Sequence, residues 1–267
     1  PTMSHYLKLV CDLVFGINNF RNEITWKRTT THNDAKQGAK FFGRVNDTIF
    51  FYSKSDDYRF NTIYEPYSKD YIESTYNKTS EDGRRFKTTD LSAAKPGGNT
   101  SYEWKGVKPP KGRFWAYSIE KMKQFEKEGK IYYSSSGKPY LKQYLDEMPG
   151  VSKDSLWDDI VGFNSNSERL GYPTQKPLAL LERIIKASSN EGDLVADFFC
   201  GCGTTIAAAQ KLNRRWIGVD ISHLAIKLIL KRLTDPYPEE KRKEILKDIE
   251  INGFPKDIAS AGIIINR

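Results

Sequence analysis

The stretch DFFCGCGTTIAAAQKLNRRWIGVD, from Asp197 to Asp220, sets Cys200, Gly201, Cys202 and Gly203 in succession between apolar runs. Three chemistries compete for such a stretch: a metal site, a redox pair and a nucleotide cradle. A zinc site needs further ligands at suitable spacing, and the three histidines lie far off with no second cysteine pair. A redox pair normally holds two residues between its cysteines, whereas only Gly201 separates these. A Walker loop ends in Gly-Lys-Ser/Thr, but here Gly203 is followed by Thr204 and Thr205. A dinucleotide fingerprint needs a third glycine three residues after the second, and Ile206 stands there.

What survives is a nucleoside cofactor without a pyrophosphate. Glycines where a strand turns into a helix allow close backbone approach to a ligand, because no Cβ intervenes. Asp220, at the end of the next strand, offers two acceptor oxygens to the hydroxyls of a ribose. Together these are the requirements of S-adenosylmethionine binding, and they call for no metal.

The elements that must hold these residues are readable from pattern. In PLALLERIIKASS, TTIAAAQKLN and HLAIKLILKRL the apolar residues recur at helical spacing, while LVADFF and RWIGVD read as strands. Strands alternating with helices imply a parallel, doubly wound α/β sheet. Upstream, SHYLKLVCDLVFG spaces Leu7, Val10, Cys11 and Val14 as the buried face of a core helix that Gly16 stops. NEITWKR and DTIFFYSK are expected strands, joined by the polar, basic loop of residues 29–44. From about residue 55 to 160, turns are frequent and aromatics alternate with Lys and Arg. Two readings of that zone stand side by side. Its aromatics stack on nucleic-acid bases while its cations meet phosphates, or Trp104, Phe114, Trp115 and Tyr132 form the core of a small domain. EEKRKEILKDIE near the end is an expected solvated helix.

Composition agrees with a folded, polyanion-binding protein. The 267 residues are 38% hydrophobic, enough for a sizeable core, and carry a formal charge of +8. Three cysteines leave an odd thiol after any pairing, which points to a reducing cytoplasm. The longest apolar stretch is too short to span a bilayer, so no membrane association is expected.

DFFCGCGTT, RRWIGVD and the upstream GYPTQKPLALLERIIKAS together resemble the amino-methylating DNA methyltransferases (adenine N6 or cytosine N4) of the circularly permuted beta group. Three motifs fall in that group's order between Leu170 and Leu233, and GRFWAYSIEKMKQFEKEGKIYY with GKPYLKQYLDE is similar to its recognition segment. The resemblance implies a Rossmann-like S-adenosylmethionine-dependent methyltransferase sheet, permuted, with an inserted target-recognition segment. Residues 1–54 would be the remainder of a catalytic half, 55–165 the recognition segment, 166–235 the cofactor half, and 236–267 a C-terminal helix and tail. It further implies that Asp197, Phe199, Gly201 and Gly203 surround the cofactor, with Asp197 near its methionine end. Thr204 and Thr205 would turn their N–H groups and hydroxyls to the ligand, and Asp220 would hold the ribose. Pro173, Thr174, Gln175 and Lys176 match the motif that meets the methionine moiety, where a lysine suits a carboxylate. Thr174 as a helix cap and Lys176 as a solvated surface charge are the alternatives.

The chain departs from the family in three places. Phe198 stands where proline is usual and Cys202 where serine is common. More seriously, no Asp-Pro-Pro-Tyr tetrapeptide is present; KPPK at Lys108 and DPYP at Asp235 read as turns. In the permuted order the tetrapeptide precedes Pro1, so the sequence resembles a fragment cut within the catalytic half, inactive alone, with unpaired backbone beside the strand ending at Asp197. No residue here is therefore assigned to catalysis. The expected function is site-specific DNA methylation, with adenine favoured by the resemblance. The expected partners are double-stranded DNA and a restriction subunit or fused nuclease. A non-catalytic DNA-binding module with a degenerate methylase fold, or an RNA or protein methyltransferase, are the competing readings.

Overall fold

The structure is a computed structural model describing residues 3–30, 38, 40–95, 97, 99–163 and 168–253. Half of the basic loop expected over 29–44, and the tail beyond 253, lie outside the described residues. The chain divides into one unit formed by Pro1–Ile63 with Lys153–Arg267 and a second formed by Tyr64–Ser152. Residues 55–63 and 153–165 thus group with the first unit.

In the first unit, α1 (Ser4–Phe15) ends at Gly16, whose φ of 87° lies in the left-handed region. Two strands follow, β1 (Phe20–Lys27) and β2 (Asn46–Tyr52), paired antiparallel along their length. The helix is where the pattern predicts it, yet no residue of α1 is buried and Leu13 is 86% exposed. The expectation of a core helix is thereby corrected. Among the described residues α1 rests on β2 through Asp12, which accepts from the Tyr52 hydroxyl at 2.7 Å, and through Phe15 against the Tyr52 ring. An open apolar cleft of about 730 Å³, lined by Leu7, Val10, Trp26, Leu180 and Ile184, is left unfilled.

The second unit contains, in chain order, β3 (Tyr64–Glu65), α2 (Lys69–Thr75), β4 (Lys78–Thr79), β5 (Arg85–Asp90), β6 (Ser92–Ala93), β7 (Phe114–Trp115), α3 (Ile119–Lys127), β8 (Ile131–Tyr133), β9 (Pro139–Tyr144) and β10 (Val151–Ser152). Ser68 and Ser118 cap α2 and α3 with side-chain oxygens that accept from the third residue onward. A four-stranded antiparallel sheet runs β4-β5-β9-β8, and the core joins Leu91, Trp104, Trp115, Met122 and Ile131. Trp104 and Trp115 are therefore core residues, Phe114 and Tyr132 are half-buried, and the base-stacking reading of the two tryptophans is set aside.

The chain then returns to the first unit through β11 (Leu156–Trp157), parallel to β1 at Thr25 and Trp26. Next come α4 (Leu178–Ser188), β12 (Leu194–Asp197), α5 (Thr204–Lys211), β13 (Arg215–Gly218), α6 (His223–Thr234) and α7 (Glu239–Lys247). One face of α4 buries Leu180 against Trp26, Trp157 and Ile160, and Ile185 against Ala208 and Ala209 of α5. Each such aliphatic side chain contributes about 1.5–3 kcal/mol when fully buried. The Trp26 indole N–H donates to the Ile160 carbonyl at 2.8 Å, so the tryptophan buries no unpaired donor. β12 and β13 pair in parallel across α5, which gives the expected strand-helix-strand unit and a mixed α/β architecture. Among the described residues β12 is paired on one edge only. α7 buries none of its residues, as its charge pattern predicts.

Candidate cofactor site

β12 stops at Asp197, earlier than its apolar run suggests, because Phe198 and Phe199 leave the strand; Phe199 is 92% exposed. The reason is local. The Asp197 carboxylate accepts from the Phe199 backbone N–H at 3.0 Å and from the Thr205 hydroxyl at 2.6 Å, turning the chain back on itself. Gly203 completes the turn with φ 74° and a hydrogen bond to the Cys200 carbonyl. A Cβ on Gly203 would lie 2.5 Å from Ile229 Cγ1, so this glycine allows α6 to approach rather than a ligand.

Asp220 reaches the loop from beyond β13. One carboxylate oxygen accepts from the Gly201 backbone N–H at 2.8 Å and the other from the Ser222 N–H at 2.9 Å. Each oxygen keeps a lone pair free for a hydroxyl. Below the loop, Cys200 and Cys202 are buried, and burial, with the Asp197 and Asp220 charges, pushes the Cys200 thiol up to about 11. It is a packing residue and not a nucleophile.

A cavity of about 290 Å³ gathers Thr174, Gln175, Lys176, Asp197, Phe199, Gly201, Thr204 and Thr205 on one wall or another. Residues more than twenty positions apart in the chain thus meet there. Pro173 and Gly203 stand outside this lining, and Asp220 faces a larger cavity on the β13 side while touching the loop from behind.

Within that set the side chains divide by what they already hold. The Gln175 amide is spent at both ends, accepting from the Leu170 N–H at 2.9 Å and donating to the Glu168 carbonyl at 2.6 Å. The Thr204 hydroxyl is buried and accepts from the Arg232 guanidinium at 2.8 Å, so it turns away from the cavity. Lys176 is exposed, bonds only the Thr174 carbonyl at 3.3 Å, and has no carboxylate partner among the described residues. It is the cation available to an anionic ligand. Thr174 does not cap α4; that role falls to Glu168, which accepts from the Leu178 N–H at 2.5 Å.

Three residues at the site escape sequence reasoning. Glu168 lies ten positions from the helix it caps. Tyr172 places its ring 3.1 Å from where a Gly201 Cβ would be and so forms the cavity wall. Arg232 ties α6 to the loop through Thr204 and the Cys202 carbonyl. Only Tyr172, beside the PTQK run, carried any signal.

Comparison with known proteins follows the same outline. A family model described as DNA methylase matches residues 1–231. The chain is 37% identical over 230 residues to the type II methyltransferase M.EcaI of Enterobacter cloacae, covering 85% of this chain and 50% of that protein. It is 27% identical over 222 residues to the type III restriction-modification enzyme StyLTI Mod subunit of Salmonella typhimurium, covering 78% and 33%. Among solved structures, an M1.HpyAVI complex with S-adenosylmethionine shares 37% identity over 33% of this chain and 42% of that one, with a TM-score of 0.29. The chain thus spans half the length of one of these relatives and a third of the other.

Proposed function

The chain belongs to the DNA methylase family, and from that premise we propose that the whole protein moves a methyl group from S-adenosylmethionine to an exocyclic amine of adenine (N6) or cytosine (N4) in DNA. The observation that carries this is the junction of Asp220 with the glycine loop. The Asp220 carboxylate, with spare acceptor capacity, holds the Gly201 N–H at 2.8 Å from behind the loop, and the front of that loop lines a cavity shared with the exposed Lys176.

Those residues fit the cofactor. Asp220 would take the ribose hydroxyls, Lys176 the methionine carboxylate, and the exposed Phe199 ring would supply apolar contact at the loop. The absence of a side chain on Gly201 lets the Tyr172 ring pack 3.1 Å from where its Cβ would lie, which sets the cavity wall. Asp197, which the Phe199 N–H and the Thr205 hydroxyl tie into the loop, and Gln175, spent on its own segment, keep the cavity in shape. When bound, S-adenosylmethionine supplies an electrophilic methyl carbon. This chain's residues would fix its position, and orienting a reactant lowers the barrier to an in-line transfer.

Orientation of the target amine is assigned to no residue of this chain, since the sequence holds no Asp-Pro-Pro-Tyr tetrapeptide. We further propose that the whole protein works in a restriction-modification system, as the name of the StyLTI Mod subunit describes for that relative.

Isothermal titration of the chain with S-adenosylmethionine, beside the Asp220→Ala variant, tests the reading. Saturable binding that Asp220→Ala abolishes supports it. A folded chain that binds no cofactor, or a variant that binds as the parent does, defeats the assignment of the pocket.

A further inference from the structure

Strand register in the second unit sorts its four-stranded sheet into two faces. Phe86 lies opposite Tyr144, Thr88 opposite Lys142, Asp90 opposite Tyr140, Tyr132 opposite Tyr140, and Lys78 opposite Phe86. Directly paired residues share a face. One side of the sheet therefore carries four aromatic rings and the cations Lys78 and Lys142. The other side carries Ile131 and Leu141 into the core.

Cations lie over the rings of the first face. Lys78 Nζ is 4.9 Å from the Tyr132 centroid, Lys142 Nζ 5.3 Å from Phe86, Lys138 Nζ 4.9 Å from Tyr140, and the Arg84 guanidinium carbon 3.9 Å from Tyr144. All fall within the range of cation–π attraction. Two of the four are also neutralised: Arg84 pairs with Asp146 and Glu147, and Lys138 with Asp90. Lys78 and Lys142 have no carboxylate partner among the described residues, and they stand on adjoining rings whose centroids are 6.0 Å apart.

We infer that this face binds the sugar-phosphate backbone of duplex DNA through Lys78 and Lys142. The inference rests on the DNA reading given above and locates a contact surface for it. Phe86 and Tyr144 cannot stack on bases, because they are 2% and 5% exposed. The Tyr132 and Phe86 rings serve as supports that hold two ammoniums in place at little entropic cost. A ring quadrupole stabilises a cation but neutralises no charge. The missing anion is one that a phosphate backbone, with a charge every 3.4 Å of axis on each strand, supplies in series. The chain's net charge of +8 draws the same partner.

The test is fluorescence anisotropy of a labelled duplex with the full chain over a salt series. Two phosphate contacts account for about 1.8 of the slope of log affinity against log salt. The Lys78→Gln/Lys142→Gln double variant should lose about that much slope and bind at least about tenfold more weakly at low salt. Lys87→Gln, on the opposite face, should keep the parent slope, and Lys78→Arg/Lys142→Arg should restore it. A parent that binds duplex steeply with salt beside a double variant of unchanged slope overturns this assignment alone. A parent that binds no duplex overturns the DNA reading and this surface with it. Should the Gln variant fail to fold, lysine acylation of the parent decides: Lys78 and Lys142 must be protected when duplex is bound, and equal labelling with and without DNA rejects the surface.

Discussion

Charge is held in opposite ways at the glycine loop and on the four-stranded sheet. At the glycine loop the carboxylates of Asp197 and Asp220 are fixed by N–H and hydroxyl donors, each by one donor two residues on and by a second 8 or 19 positions away. On the sheet, lysines are fixed by rings contributed from strands as far apart in sequence as Lys78 and Tyr132. A loop that must present acceptors in a set geometry uses short side chains and backbone donors, because few rotatable bonds leave little freedom to lose. A surface that meets a repeating polyanion needs cations at roughly the right spacing, and long side chains on an aromatic bed provide that.

The most severe way to break the comparison is to add one methyl group to each unit. A Cβ at Gly150, whose φ is 113°, would lie 2.2 Å from the Glu65 carbonyl oxygen, which is backbone and cannot step aside. Gly150→Ala should cost about 4 kcal/mol or more. Gly203→Ala meets a side chain, Ile229, and should cost about 2–3 kcal/mol. Hydrogen exchange reads both changes. Gly150→Ala should speed exchange at β3 and β10, and Gly203→Ala at β12 and β13; the same profile for both variants would mean that the two glycines report one cooperative element.

A smaller effect is expected at Arg232. Removing its donors in Arg232→Met leaves the buried Thr204 hydroxyl and the Cys202 carbonyl short of a partner. Affinity for S-adenosylmethionine should fall about tenfold, or about 1.4 kcal/mol, with the salt slope for DNA unchanged and partial rescue by Arg232→Lys. A loss of DNA binding together with cofactor binding would show that Arg232 supports the whole fold.

The smallest effect concerns acid. Arg183, and then Lys153, hold the Asp159 carboxyl well below the usual carboxylate range against its partial burial. A depressed folded pKa gives stability that is present above the unfolded value near 4 and lost as pH falls toward the lower, folded one. The carboxylate is about a third exposed, so the contribution is about 1 kcal/mol. Urea unfolding of the parent should weaken between pH 5 and pH 2, and Asp159→Asn should be less stable at pH 7 with a shallower acid limb. Parallel acid limbs for parent and variant would count against it.

Much of the cofactor half was legible in the sequence because its determinants are local. Gly203 breaks the strand pattern, Thr204 opens a helix of 3.6-residue period, and Asp220 follows a strand of β-branched and aromatic residues. Even so, Phe198 and Phe199 read as strand by composition, and the Asp197 turn took them out of it. Helix α1 was legible as a helix but not in its exposure, since its periodicity shows that it has an apolar face and says nothing about what is present to cover it. The second unit was the least legible. Aromatics interleaved with lysines fit both a core and a surface, and only the fold gathers Trp104 and Trp115 into one core and puts Lys78 and Lys142 on the sheet face away from it.

The sequence by itself determined the order and type of the α/β elements, the glycine turn after β12 and the acid beyond β13, because each depends on contacts within a few residues or on a single helical or strand period. Tertiary structure alone decided that Asp220 holds the Gly201 N–H, that Arg232 locks the loop, and which face of the four-stranded sheet bears cations without a carboxylate partner among the described residues. Those outcomes depend on which distant segments meet and in what register, and a shift of one residue in strand pairing would have exchanged the two faces of the sheet.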